Sequence, residues 1–164
     1  AKHLGICNYS SGLLHDLMNY CEIKPDMLQI EAHPHLTQEK LIRLAKYYGL
    51  EVTAFSPLGS ISYEEIGGAE EIESLLRDET IKAIAKDLNI SPAQLILSWA
   101  LNRGTSIVVK STNEKRMKEN LDASKIDLDR SILDKVSSLN IDKRYNDPGI
   151  FCEDAFNTFF PIYD

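Results

Sequence analysis

Val108-Val109-Lys110-Ser111-Thr112-Asn113-Glu114-Lys115-Arg116-Met117-Lys118-Glu119-Asn120 is the stretch from which the rest of the chain can be read. A short apolar run, Ser106 to Val109, stops at a lysine and small polar residues, and a helical pattern follows with Met117 and Leu121 on one face. Strand, polar turn, helix start: that order gathers free backbone N–H groups, a lysine and an arginine around one point. A helix N-terminus presents unpaired donors and partial positive charge, so the point suits an anion. Arg116 falls near the first turn, where a cation is unfavourable against the helix dipole, and a bound guest would explain it. The competing reading is a loop of ordinary solvated charges.

Outward from that stretch the chain alternates. Leu4 to Cys7 is a short strand ending at Asn8, and Ser10 or Ser11 caps a helix through Tyr20. Met27 to Glu31 reads as a second strand. Thr37 is expected to cap a helix carrying Leu41, Leu44, Ala45 and Tyr48, closed by Gly49. Glu51 to Phe55 is a third strand, stopped by Ser56-Pro57-Leu58-Gly59, and residues 60 to 76 form a less regular connection holding Gly67-Gly68. Helical pattern resumes from Asp78 to Leu88. Ser91-Pro92-Ala93-Gln94 opens the next helix with cap, proline and capping-box glutamine, running to Leu101. Thr105 to Val109 is the fourth strand, a helix starts near Asn113, and a last one covers about Asp129 to Leu139 before an irregular tail. Such alternation calls for a parallel sheet with right-handed crossovers. Four βα units are half of an eight-fold barrel, or else a small open sheet.

The 164 residues hold one domain with a substantial core. A hydrophobic content of 43% and a charged content of 26% are ordinary for a globular protein. The net charge of −7 argues against a nucleic-acid partner, which usually needs a basic face. The opening stretch reverses that balance: Lys110, Lys115, Arg116 and Lys118 face only Glu114 and Glu119, which fits a small anion better than a polyanion. No window approaches the roughly 18 apolar residues of a membrane helix. Cys7, Cys21 and Cys152 are odd in number and widely spaced, so reduced thiols in a cytoplasmic protein are expected. The chain begins Ala-Lys-His and enters a strand almost at once, which reads as a piece of something longer.

Polar residues collect at strand ends. Asn8 follows the first strand, Gln29 lies in the second, Ser56 follows the third, and Lys110 and Ser111 follow the fourth. In a (β/α)8 barrel, active sites are built at the C-terminal ends of the strands, and phosphate is commonly held after the last two. Each residue alone has a plain explanation as a cap or turn; together on one face they point to a site.

The motifs Leu4-Gly5-Ile6-Cys7-Asn8-Tyr9, Leu28-Gln29-Ile30-Glu31-Ala32-His33-Pro34-His35-Leu36-Thr37-Gln38 and Val52-Thr53-Ala54-Phe55-Ser56-Pro57-Leu58-Gly59 resemble the C-terminal half of an aldo-keto reductase. The match continues through Pro92-Ala93-Gln94, Trp99-Ala100, Arg103-Gly104-Thr105-Ser106 and Lys110-Ser111 to Arg116 and Glu119-Asn120. Arg144-Tyr145-Asn146-Asp147-Pro148 is similar to the xylose reductase branch and related sugar and sugar-phosphate reductases. The implied fold is α/β: the last four βα units of a (β/α)8-barrel, with parallel strands, over residues 1–140. Residues 141–164 become a substrate-loop tail.

The resemblance also implies roles. Cys7, Asn8 and Gln29 match residues at the nicotinamide carboxamide; serine is usual at position 7, so a hydrogen bond weakens there. Phe55 matches the aromatic that stacks on the nicotinamide. Ser56, Leu58 and Ser60 match the loop crossing the pyrophosphate. Lys110, Ser111, Thr112 and Arg116 match the set that grips the 2′-phosphate of NADPH, and arginine suits phosphate through its planar fork. Glu119 and Asn120 match the pair at adenine, and Asn146 matches a tail asparagine touching substrate. NADH stays open as an alternative cofactor. Val109 departs from the family's usual proline.

The family's catalytic Asp, Tyr, Lys and His come from the first four βα units, and none has a counterpart here. The implied function is therefore the cofactor-binding half of an NADPH-dependent reductase of aldehyde or ketone carbonyls, inactive alone, with a small-molecule carbonyl substrate and no nucleic-acid or membrane partner. Two alternatives stay open: a non-catalytic nucleotide-binding module, or a half-barrel that associates with the missing N-terminal half or a second copy of the chain, since a lone half-barrel leaves two strand edges unpaired. His33-Pro34-His35 could seed a metal site but lacks a carboxylate or thiol at ligand spacing, so no metal is expected. Tyr9, Tyr20, Tyr47, Tyr48 and Tyr63 read as packing rather than substitute acids, as does His15. Glu31, inside a strand, points into the barrel or meets a cation, with a general base as the weaker reading. The tail carries six of the 13 aromatics and is expected to fold over the barrel mouth and cover something apolar.

Overall fold

The computed structural model describes residues 1–60 and 74–163. Its centre is one sheet of four parallel strands in the order β1-β2-β3-β4: Gly5–Cys7, Met27–Glu31, Glu51–Phe55 and Ser106–Val108. The second and third match the sequence reading residue for residue; the first and last are shorter than expected. The register sets Cys7 beside Gln29, Gln29 beside Thr53 and Thr53 beside Ser106, with Glu31, Phe55 and Val108 in the next row on the same face. Side chains alternate along a strand. Leu28, Ile30, Val52 and Ala54 therefore point the other way, where they are buried against Leu14 and Met18 of α1 (Ser11–Tyr20) and Leu41, Ile42 and Ala45 of α2 (Glu39–Tyr47). One face is sealed by helices. On the other, Cys7, Ser106 and Val108 are exposed.

A second core lies under α3 (Glu79–Asp87) and α4 (Pro92–Asn102), where Leu75, Ile81, Leu95, Ile96 and Trp99 pack with Leu128 and Val136. Trp99 is fully buried, and its indole N–H donates to Ser137 Oγ at 3.0 Å. Ser137 closes α6 (Arg130–Ser137), so this bond ties the last outer helix to the wall. The Arg103 guanidinium lies 4.3 Å from the Trp99 ring centre and donates to Thr37 O at 2.8 Å.

Helix starts follow short-range chemistry. Ser91 and Gln94 form the expected capping box, and Asp78, Asn113 and Asp129 cap α3, α5 (Glu114–Asp122) and α6. Gly49 closes α2 at φ +81°, a left-handed position that favours glycine, letting Leu50 N reach Ala45 O at 3.0 Å. Two expectations are corrected. Thr37 does not cap α2: the cap position is Gln38, whose side chain makes no capping bond and donates instead to Glu31 O (3.3 Å), because the Thr37 hydroxyl and N–H both turn to Asn140 Oδ1 (3.2 and 2.9 Å). The tail is not irregular throughout: Asp147 caps α7 (Pro148–Phe156), its side chain accepting from Gly149 N with Pro148 in the first turn.

The tail aromatics also divide. Tyr145 is buried, but Phe156, Phe159 and Phe160 are exposed (72%, 82% and 56%), against the expectation that they cover an apolar surface. Polar anchors, described below, hold the segment instead. Among the described residues no helix is long and apolar enough to cross a membrane. The connection from 60 to 76 lies mostly outside the described residues, as does Tyr63; within it Leu75–Arg77 forms a short 3-10 turn.

Candidate functional site

The turn after β4 is built by its own small residues. Ser111 Oγ accepts from Asn113 N at 3.2 Å, and Asn113 Oδ1 accepts from Arg116 N at 3.1 Å. One orphan donor of α5 is thus consumed internally, and the turn is held open beside the helix start. Lys110, Ser111, Thr112, Arg116, Glu119 and Asn120 line a single cavity of about 580 Å³, whose remaining wall is Leu58, Leu76 and the Ser91-Pro92-Ala93 start of α4. The sequence-named polar residues after the fourth strand are therefore gathered at one place, with Leu58 reaching it from the loop after β3.

Its electrostatics favour an anion. Two helix N-termini, those of α4 and α5, contribute to the lining, each with partial positive charge. None of the ion pairs among the described residues involves Lys110 or Arg116. Two exposed cations and two hydroxyls facing a cleft in a chain of net charge −7 form a local basin of positive potential. Glu119 adds a carboxylate acceptor at the far side, and Gln94 Nε2 donates to its backbone oxygen at 3.4 Å, fastening α5 to α4.

Cys7, Asn8, Gln29 and Phe55 are not in that cavity. Cys7, Gln29 and Phe55 lie on the exposed face of the sheet, and Asn8 follows β1 in the left-handed region (φ +57°), its N–H bonded to Gln29 O at 2.9 Å. Asn8 Oδ1 is buried and has no hydrogen-bond partner among the described residues. An orphaned buried acceptor costs about 1–3 kcal/mol, which a ligand N–H would recover. Ser56 is also left-handed (φ +48°), and the turn closes with Gly59 N on Ser56 O at 2.9 Å, aiming Leu58 at the cavity. Ser60 is fully buried. A ligand with an amide-bearing ring at the sheet face and a phosphate after β4 would span these two groups by way of the Ser56–Gly59 turn.

Sequence reasoning missed one polar centre. Glu31, fully buried at the end of β2, accepts from His33 Nε2 (3.0 Å), Tyr145 N (2.8 Å), Asn146 N (3.1 Å) and, at a longer 3.4 Å, Arg144 Nη1. Burial alone pushes its carboxyl up, but the His33 bond, the two backbone N–H groups and the electrostatic influence of His33 outweigh it and hold it below the ordinary carboxylate range. Glu31 lies on the same sheet face as Gln29 and Phe55 and meets a cation in Arg144, whose guanidinium also lies 3.8 Å from the Tyr163 ring centre. Burial raises the Tyr163 hydroxyl above its ordinary value; Arg144 opposes this, while Glu31, Asp147 and Cys7 reinforce it. Asn146 is placed by its backbone N–H on Glu31. Arg144 carried no local signal, because its carboxylate partner lies 113 residues away, and Tyr163 is placed only through Arg144. Among the described residues no group of three His, Cys, Asp or Glu side chains is placed to hold a metal ion.

The family model described as "Aldo/keto reductase family" matches residues 1–141. The chain is 39% identical over 150 residues to an NAD(P)H-dependent D-xylose reductase of Aspergillus niger, covering 90% of this chain and 47% of that protein. It is 41% identical over the same length to a "Probable NAD(P)H-dependent D-xylose reductase" of Neosartorya fischeri, again covering 90% and 47%. Among solved structures it superposes on aldose reductase from Giardia lamblia with a TM-score of 0.81 and 29% identity, over 99% of this chain and 51% of that one. An aldo-keto reductase from a Medee basin deep-sea metagenome library gives 0.77 and 26%, over 87% and 50%. The chain spans about half the length of the relatives it matches.

Proposed function

The chain belongs to the aldo/keto reductase family, and from that premise we propose that it is the cofactor-binding half of an NADPH-dependent reductase of aldehyde or ketone carbonyls, of the sugar or sugar-phosphate type. The observation that carries this reading is the cavity after β4, where Lys110, Ser111, Thr112 and Arg116 meet beside two helix N-termini. That donor set fits a phosphate monoester, and the 2′-phosphate is what separates NADPH from NADH. Glu119 and Asn120, one turn further along α5, supply an acceptor and an amide for the adenine edge. The left-handed Ser56 turn carries Leu58 beneath the pyrophosphate, with Ser60 fully buried behind it. Phe55, half-buried on the open sheet face, offers a ring for the nicotinamide to lie on. Asn8 Oδ1 is an acceptor waiting for the carboxamide N–H, with Gln29 and Cys7 beside it.

When bound, the cofactor supplies the hydride; the chain's own residues hold it and orient its ring. Carbonyl reduction also needs a proton for the alkoxide, and the family's Asp, Tyr, Lys and His lie in the half that this chain does not contain. The chain alone is therefore proposed to bind cofactor without turning over. The open face and the two sheet edges, β1 and β4, support a second element of the reading: the N-terminal half of a barrel, or a second copy of the chain, completes the sheet.

NADPH titration followed by nucleotide fluorescence tests the first element. Saturable binding stronger for NADPH than for NADH is expected; no binding, or no preference, refutes it. Carbonyl-dependent NADPH oxidation by the chain alone would overturn the assignment of the proton donor to the other half. A solution mass measurement tests association with a second copy.

A further inference from the structure

We propose that Glu31 is a positioning residue for the carbonyl side of this site: its carboxylate fixes the C-terminal segment so that Tyr163 stands beside Asn8, at the strand end where the nicotinamide is to lie. The inference rests on the cofactor reading above.

The geometry is a single chain of contacts. Three consecutive tail residues converge on one carboxylate: Tyr145 N at 2.8 Å and His33 Nε2 at 3.0 Å on Oε1, Asn146 N at 3.1 Å and Arg144 Nη1 at 3.4 Å on Oε2. Arg144 carries the connection onward, its guanidinium 3.8 Å from the Tyr163 ring centre. Tyr163 and Arg144 in turn share a pocket of about 190 Å³ with Asn8, Tyr9 and Gln38. Glu31 lies two residues beyond Gln29 on the same face, so the tail is fastened one pleat past the proposed carboxamide contacts.

Other tethers hold the segment upstream. Thr37 bonds to Asn140, the N–H groups of Ile141 and Lys143 donate to His35 O, and the Tyr145 hydroxyl pairs with His35 Nδ1 at 2.9 Å. These do not reach Asn146 or Tyr163. Losing Glu31 should therefore free the end of the tail while its root stays in place.

A glutamine at this position cannot reproduce the arrangement. All four neighbours are donors, or in the case of His33 can be either donor or acceptor. If the amide nitrogen replaces Oε2, it faces Asn146 N and Arg144; if it replaces Oε1, His33 can turn acceptor but Tyr145 N is left opposed. Either way at least one tail N–H loses its acceptor. A role as mere filler would survive Glu31→Gln, which keeps size and shape.

The test uses the chain as it is, with 3-fluorotyrosine placed at position 163, in wild type, Glu31→Gln and Arg144→Met. Hydrogen exchange at Tyr145 and Asn146, the fluorine resonance of Tyr163 with and without NADPH, and the NADPH Kd are measured together. In wild type, NADPH is expected to shift the Tyr163 resonance. In Glu31→Gln, exchange at Tyr145 or Asn146 should rise at least tenfold and the NADPH-induced shift should vanish, with Kd changed less than twofold. Arg144→Met should lose the shift while both amides stay protected. It leaves Glu31 and its three shorter hydrogen bonds in place, so it serves if Glu31→Gln fails to fold. NADPH binding with no Tyr163 response in wild type overturns the inference and leaves the cofactor reading intact. Unchanged exchange in Glu31→Gln overturns it as well. Failure of wild type to bind NADPH refutes the cofactor reading and this inference with it.

Discussion

On the proposed cofactor reading, Arg116→Ala isolates the 2′-phosphate from the rest of the dinucleotide. The side chain makes no ion pair among the described residues, and the helix cap at this position uses its backbone N–H, which alanine retains. Alanine is also the stronger helix former, and removing a cation from the first turn relieves an unfavourable dipole interaction of about 0.3–1 kcal/mol. The free chain should thus be as stable as wild type or slightly more so. Any loss in binding then reports on the ligand. A charge-assisted hydrogen bond to phosphate contributes about 1.5–3 kcal/mol, or roughly ten- to 150-fold in Kd. Arg116 is solvent-exposed, and at physiological salt, where the Debye length is about 8 Å, the lower end of that range is expected. NADH, which lacks the phosphate, should change less than about twofold. Arg116→Lys should fall between, keeping the charge but not the planar fork. Fluorescence titrations of both dinucleotides at two salt concentrations give the required ratio, and the NADPH penalty should shrink as salt rises. Equal loss for NADPH and NADH, or a salt-independent loss, would refute the assignment of Arg116 to the phosphate.

Other perturbations test the frame that holds the site. Trp99→Ala removes the largest fully buried side chain along with its Ser137 bond, and should cost about 3–5 kcal/mol in denaturant unfolding. Ser91→Ala breaks the capping box of α4 and should cost about 1 kcal/mol, with a modest loss of NADPH affinity because Ser91 also lines the cavity. Glu31 is held below the ordinary carboxylate range, so its stabilising contribution is complete above the unfolded value and is lost as pH falls through the lower folded one. Acid unfolding monitored by circular dichroism should therefore steepen below the ordinary carboxylate range in wild type, and this component should be missing in Glu31→Gln.

What the sequence disclosed was short-range. Asp78, Ser91, Asn113 and Asp129 cap helices because each side chain bonds an N–H three residues on, and the fold cannot redirect so local a contact without cost. The grouping of polar residues after β4 was legible for the same reason: Lys110 to Asn120 fall within eleven positions of one another, and a strand followed by a helix start leaves them little freedom. Asp147-Pro148-Gly149 carries the same kind of signature and marks α7, although the surrounding aromatics obscure it. Thr37 shows where such reasoning stops. It has the residue type of a cap, yet its hydroxyl answers to Asn140, 103 residues later. Glu31 is the larger instance: a carboxylate in a strand signals a missing donor, but nothing nearby shows that donors arrive from 113 to 115 residues away.

The polar row across the open face argues for what can occupy it. Thr53 and Ser106 satisfy one another at 2.6 Å, with Ser106 Oγ also bonding to Val52 O, so the β3–β4 side of the row is closed on itself. Cys7 and Gln29, at the β1–β2 side, make no hydrogen bond through their side chains among the described residues. An apolar surface laid over this row would strand the Gln29 amide, at a cost of about 1–3 kcal/mol. A ligand with both an amide donor and an amide acceptor would satisfy it, and would also meet the orphaned Asn8 Oδ1 one residue beyond Cys7. The asymmetry of the row, self-satisfied on one side and open on the other, thus supports the proposed seat of the nicotinamide carboxamide over β1 and β2.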